Sequence, residues 1–216
     1  MTNVFSKALL VSALKGALAS IDANFDALNA LDAATGDGDH GTAIKATLEA
    51  AVNAAEQSAE QGATLSDTLS NVAMEIMSAT GGSTSSLNGS FYMGLSSAAE
   101  DNELAPAATV AMYKSGLEMM STMTSAKVGD KTMMDAMLPA IDAMSATIES
   151  NVEATLLDVF TAAASAAKAG AEKTSEYVAK FGRARNLGER SRGSKDAGAT
   201  SLALIFQAFA DAIANA

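Results

Sequence analysis

Cysteine is absent from this chain of 216 residues. That excludes disulfides and thiolate metal sites, and leaves oxygen atoms and one imidazole as the ligands a metal could find. Tryptophan is also absent, aromatics make up 5% of the residues and prolines number two. The hydrophobic 49% is mostly small or flexible, rich in Ala and Met, which favours helices over strands. Alternating strand patterns, fixed-period repeats and Pro-rich linkers are missing, so nothing argues for a second domain, and one domain over residues 1–216 is expected. No apolar run approaches the roughly 20 residues that cross a bilayer, and Met1 to Leu10 lacks the pattern of a signal peptide, so a soluble cytoplasmic protein with no membrane partner is expected. Positive charge is scarce as well. A net charge of -11 and a pI near 4.4 repel nucleic-acid backbones and anionic membranes, and nucleic-acid binding is not expected. Any phosphate ligand would need a local source of positive charge, which divalent cations can supply.

Four familiar sites are missing too. No Gly-x-x-x-x-Gly-Lys-Ser/Thr string exists, which removes a P-loop. Gly36, Gly38 and Gly41 have the glycine spacing of a dinucleotide fold, but no strand precedes them and two carboxylates would face the pyrophosphate. An EF-hand also begins with alternating acids, yet Gly41 and Thr35 occupy expected ligand positions. His40 is the one histidine and no serine sits in a nucleophile-elbow pattern, which argues against a Ser/His/Asp hydrolase.

What is present is helical periodicity. Apolar residues from Phe5 through Leu9, Leu14, Leu18, Ile21, Phe25, Leu28 and Leu31 recur at three- to five-residue steps and predict one long helix. Further segments run through Ile44 to Val52, Leu65 to Ile76, Phe91 to Ala98, Val110 to Met123, Met133 to Ile148, Leu156 to Phe181 and Leu202 to Ile213. Pro139 is expected to kink the sixth or end a turn there. About eight helices in one antiparallel up-and-down bundle is the simplest all-α architecture. Four junctions are rich in Gly with polar or charged residues: Gly36 to Gly41, Gly81 to Gly89, Gly129 to Thr132 and Gly182 to Gly198. They follow the first, third, fifth and seventh helices, and odd-numbered junctions of an up-and-down bundle share one end. A site built from four loops is therefore expected there.

Chemistry concentrates in the same junctions. Asp32, Asp37 and Asp39 place three carboxylates within eight positions, where they repel unless a cation joins them, and oxygen ligands suit magnesium, manganese or calcium. A Gly-Asp turn capping a helix would look the same locally. Gly81-Gly82-Ser83-Thr84-Ser85-Ser86-Leu87-Asn88-Gly89 reads as an anion-binding loop before a helix, or as a polar linker. Every arginine, Arg183, Arg185, Arg190 and Arg192, falls within ten residues, for phosphate contact, for docking of an acidic partner, or as a solvated loop. Asp196 is a helix N-cap candidate. The methionines around Gly129 are core filler or the cover of an apolar base.

Taken together, GDGDHG at Gly36 to Gly41, GGSTS at Gly81 to Ser85, GDKTM at Gly129 to Met133 and GRARNLGERSRG with KDAGATS from Gly182 to Ser201 resemble the L subunit of dihydroxyacetone kinase, in order and spacing, across essentially the whole chain. The resemblance implies an eight-helix antiparallel barrel whose loops at one end bind two magnesium ions and ADP or ATP. It implies magnesium ligation by Asp32, Asp37 and Asp39, with His40, Gly41, Thr42, Ser83, Thr84, Gly129, Met133, Arg183, Asp196 and Gly198 around the nucleotide. Arg183 would act in catalysis by offsetting charge on the transferring phosphoryl group. It further implies a separate K subunit that holds dihydroxyacetone, and a phosphocarrier protein that rephosphorylates bound ADP; exchangeable ATP, a different short ketose, a homodimer and a non-catalytic nucleotide sensor stay open. The family often has Asn where Ala43 stands and Gly where Ser85 stands.

Overall fold

The structure is a computed structural model that describes residues 3–79 and 82–216; Gly81, which opens the second predicted loop, lies outside the described residues. Helix α1 (Lys7–Ala23) starts where Ser6 caps it, the Ser6 hydroxyl accepting from the Leu9 N–H at 3.3 Å, and buries Leu10, Leu14, Ala17 and Ile21 on one face. The single long helix expected from Phe5 to Leu31 is in fact broken. At Asn24 the chain turns by 63° into α2 (Phe25–Ala33), because the Asn24 side chain donates to the Ser20 carbonyl at 2.8 Å and closes the last turn of α1. Periodicity could not reveal this, since apolar residues continue at helical spacing through the bend.

Seven more α-helices follow among the described residues: α3 (His40–Glu60), α4 (Leu65–Ala79), α5 (Ser83–Ala98), α6 (Pro106–Ser121), α7 (Met134–Ser150), α8 (Leu156–Lys173) and α9 (Ala197–Ala214). Short 3-10 turns at Thr174–Glu176 and Arg183–Ser191 lie between α8 and α9. One departure from an all-helical chain is a two-residue antiparallel ladder, β1 (Phe5–Ser6) with β2 (Glu103–Leu104). Helices α1, α3, α4, α5, α6, α7, α8 and α9 each pack on the next, and α9 returns to α1, so eight helices close a barrel with α2 as a spur on α3 and α9. The expected all-α, eight-helix, up-and-down barrel is what the chain forms.

Inside it, Tyr113 stands edge-on to Phe5 and Phe160 at 6.2 and 5.3 Å, and Phe160 stacks on Phe209 at 6.0 Å. These contacts tie β1, α6, α8 and α9 across the interior. Helix α9 is long and apolar enough by composition to span a membrane, but half of it is buried and it packs on α1 and α8. Helices α7 and α8 approach most closely at one point. Pro139 lacks the N–H that would bond the Asp135 carbonyl, yet α7 runs on through it rather than ending there. The Asp135 carbonyl oxygen lies only 2.0 Å from where a Cβ on Gly170 would stand, so α8 meets it with a bare Cα.

Two further boundaries differ from expectation. The Ser/Thr-rich segment predicted as a loop to Gly89 is helical from Ser83, and its polar side chains are satisfied within the helix: Ser86 and Ser90 bond back to the Gly82 and Ser86 carbonyls at 3.0 and 2.8 Å, and Asn88 to that of Thr84 at 2.8 Å. The segment expected to be helical from Leu156 to Phe181 ends at Lys173, and residues 174–196 form a strap instead.

Candidate active site

The four glycine-rich junctions do meet. Asp32 and His40, Ser83 and Thr84, Thr132 and Met133, and Arg183 with Asp196 and Gly198 line one cleft of about 590 Å³. Asp37 and Asp39 are on its wall as well. Gly41, Thr42 and Gly129 lie beside it rather than on it: the Gly41 N–H donates to Asn29 Oδ1 at 2.7 Å, Thr42 is exposed on α3, and the Gly129 N–H is taken by Asp135.

Asp32 organises the acidic loop. It ends α2 with its carboxylate accepting from the Gly38 and Asp39 N–H groups at 2.8 and 3.1 Å, so the chain wraps around it. Gly38 has φ +80°, a conformation that glycine adopts without a Cβ clash. Gly36 passes so close that a Cβ there would sit 2.6 Å from Asp32 Oδ1. One oxygen each from Asp32, Asp37 and Asp39 falls within a common 4.8 Å. Neighbouring oxygens on a magnesium ion are about 3 Å apart and opposite ones about 4 Å, given bonds of roughly 2.1 Å, so the donor set fits such an ion. Across the mouth the Arg183 guanidinium donates to Asp37, with both side chains largely exposed. Such a pair is worth at most about 1 kcal/mol and can open to admit a ligand.

Beside the acidic loop, His40 opens α3 with its Nε2 2.9 Å from the Ser201 hydroxyl, which in turn donates to the Gly198 carbonyl at 3.0 Å. That chain assigns the proton to Nε2. Burial lowers the imidazole pKa below its ordinary value, opposed by the nearby Asp32 and Asp39. Helix α5 begins at Ser83 after Gly82 at φ +107°, with no side-chain cap and no acid in its first turn. The positive dipole end at its first turn makes the Ser83–Thr84 corner suited to an anion. Met123, Met133, Phe181 and Leu87 give the cleft an apolar side.

Asp196 caps α9 by accepting from the Ala199 N–H at 2.8 Å. Enclosure pushes its carboxyl up to about 6, with the charges of Asp135 and Asp32 adding and Lys131 opposing. Since the unfolded chain would titrate near 3.8, the folded state binds the extra proton between pH 4 and 6. Stability tied to this group is therefore full below pH 4 and is lost as pH rises through 6. Asp196→Asn keeps a good cap and removes the charge, so in metal-free solution it is expected to be more stable than wild type by on the order of 2 kcal/mol at pH 7.5 and by little at pH 4. Urea unfolding at the two pH values checks this.

Sequence reasoning missed several groups here. Asp135, fully buried, accepts from the Gly129 N–H at 2.6 Å and the Thr132 N–H at 2.7 Å and so shapes the third junction. Burial raises its pKa and the N–H groups of Thr132 and Gly129 counter that. Lys131, Asn29 and Ser201 were missed too. The available signal was an acid six positions after a junction glycine, which ordinary helix-start composition conceals.

The chain matches the DAK2 domain family over residues 34–211, and it belongs to that family. It is 30% identical over 184 residues to the Listeria innocua "PEP-dependent dihydroxyacetone kinase 2, ADP-binding subunit DhaL", covering 85% of this chain and 84% of that one. Against the Escherichia coli K12 "PEP-dependent dihydroxyacetone kinase, ADP-binding subunit DhaL" the identity is 32% over 141 residues, 65% of this chain and 66% of that protein. An "L-erythrulose kinase" of Pectobacterium atrosepticum is 32% identical over 92% of this chain, which spans only 34% of that protein's length. Among solved structures, the dihydroxyacetone kinase of C. freundii in complex with AMP-PNP and Mg2+ superimposes with a TM-score of 0.69 at 25% identity, over 98% of this chain and 35% of that one.

Proposed function

We propose that this chain is the nucleotide-binding part of a dihydroxyacetone-type kinase, holding ADP or ATP through magnesium at Asp32, Asp37 and Asp39 and passing a phosphoryl group to a short ketose held on a separate K subunit. The observation that carries the reading is the convergence of three carboxylates, one exposed arginine and a glycine-led helix N-terminus in one cleft. Relatives named as ADP-binding subunits, and a similar structure solved with AMP-PNP and Mg2+, support the nucleotide and the metal.

Magnesium, when bound, would neutralise phosphate charge beside these carboxylates. Asp32 is oriented for this by the Gly38 and Asp39 N–H groups, while Asp37 and Asp39 face the cleft. The Ser83 and Thr84 N–H groups at the start of α5 bind phosphate oxygens, and Met133 and Phe181 cover the apolar base. Around the same nucleotide His40, Asp196 and Gly198 line the cleft, with Gly41, Thr42 and Gly129 shaping its loops. Arg183 leaves Asp37 and donates to the phosphoryl group in transfer, where its planar charge is complementary to the oxygens.

The phosphocarrier-dependent form of the reaction is favoured by the relatives of similar length, whose names are PEP-dependent. In that form ADP stays in the cleft as a fixed carrier. Protein purified without added nucleotide is then expected to retain equimolar ADP, released by EDTA and detected by ion-exchange chromatography. A nucleotide-free preparation that turns over with ATP and a K subunit would overturn the phosphocarrier form in favour of exchangeable ATP. The erythrulose kinases among the relatives make a four-carbon ketose the second substrate reading.

A further inference from the structure

Lys131 is fully enclosed at 3% exposure, yet it carries a charge and sits at φ +59°, in the left-handed region that a residue with a Cβ seldom adopts. A conformation of that kind persists when neighbouring contacts hold it. The contacts are specific. Its ammonium donates to the Thr174 carbonyl at 2.7 Å and also to the Ser194 carbonyl. Thr174 lies at the outgoing end of the strap and Ser194 at the returning end, so one side chain grips both legs.

The rest of the strap is tied in a consistent way. The Gly193 N–H donates to the Ser175 carbonyl at 2.9 Å and the Ala179 N–H to the Ser191 hydroxyl at 2.9 Å, which close it upon itself. The Lys180 N–H donates to the Asp130 carbonyl at 3.1 Å and its ammonium to the Asp130 carboxylate at 2.6 Å, which seats the strap on the third junction. That junction is in turn held by Asp135. Asp196, just past the returning leg, receives its own support when its N–H donates to the Thr174 hydroxyl at 2.8 Å. The far side of the strap carries Arg183 over the carboxylates.

We infer that Lys131 is a positioning residue for phosphoryl transfer: by binding the Thr174 and Ser194 carbonyls it locks the two legs of the strap onto the Gly129–Thr132 turn and thereby fixes the reach of Arg183 into the cleft. The inference rests on the kinase reading of that cleft. Lys131 also borders the cleft, but its ammonium is turned to the two strap carbonyls, so the inference separates the arginine that acts from the lysine that aims it.

The test uses the full chain with its K partner and compares Lys131→Met, Lys131→Arg and wild type, each well below its own unfolding temperature. Lys131→Met is expected to lower kcat by about 100-fold, as small misplacements of a reacting group do, while KM for the ketose changes less than about threefold. It is also expected to speed tryptic cleavage at the strap arginines by about tenfold, through easier local opening. Lys131→Arg, which keeps two donors, is expected to restore both. A folded Lys131→Met with wild-type kcat, or with unchanged strap cleavage, overturns the inference; if Lys131→Met does not fold, Lys131→Gln is measured and judged by the same two outcomes. Cleavage is measured without nucleotide or partner, so a failure of the kinase reading shows as absent wild-type turnover with the cleavage difference intact.

Discussion

Replacing Asp37 and Asp39 together with Asn is expected to lower magnesium-dependent nucleotide affinity by more than about 100-fold, because even residues that only support metal ligands change affinity by 10 to 100 times. The fold should survive. Both side chains are exposed, they accept no hydrogen bond that shapes a helix, and their loss relieves repulsion within a carboxylate cluster packed inside 4.8 Å. The melting temperature without metal should therefore stay level or rise, while nucleotide retention and phosphoryl transfer disappear together. That combination distinguishes a cation-holding role from a structural one: if the aspartates merely capped the turn, stability would fall and binding would be spared. Asp32 is unsuited to this experiment, since it also accepts from Gly38 and Asp39 and its loss would unwrap the loop.

The second large effect is expected at a residue that does not line the cleft. Gly170→Ala should destabilise the protein by about 3 kcal/mol or more, the upper range for overpacking, whereas alanine in place of glycine inside a helix ordinarily stabilises by roughly 0.5 to 1 kcal/mol. The sign reverses because the new methyl would stand 2.0 Å from the Asp135 carbonyl oxygen, a backbone atom that cannot swing aside. Movement of α7 to relieve the clash would carry the Asp135 carboxylate with it, and with it the Gly129–Thr132 turn. In a chain of this size the midpoint should drop by about 6 to 12 °C. Thermal unfolding followed by circular dichroism measures this, and an unchanged or higher midpoint would show that the two helices are not held at this spacing.

The pattern of apolar residues carried most of the fold. Eight helical segments and their alternating direction were readable because each buried face repeats every three to four residues, and direction alone brought the four polar junctions to one end. The bend at Asn24 was not readable, because it depends on a side chain reaching back to the Ser20 carbonyl rather than on any interruption of periodicity. Nor was the helical state of Ser83 to Gly89: small polar residues suggest a loop until their hydroxyls are seen bonded within the helix. In the cleft, residues announced by local clustering were legible as a group, above all the acidic string and Arg183. Lys131 and Asp135 were hidden since their partners are backbone groups, which leave no trace in composition. Asn29 and Ser201 act through single contacts with Gly41 and His40 and are equally silent.

The central claim is that a chain bearing eleven excess negative charges accepts a polyphosphate only where its own carboxylates gather cations. Calorimetric titration of ADP into nucleotide-free protein, in magnesium and again in EDTA, addresses it directly. Tight binding in magnesium that vanishes in EDTA is the expected result; equal affinity in both solutions would contradict the account.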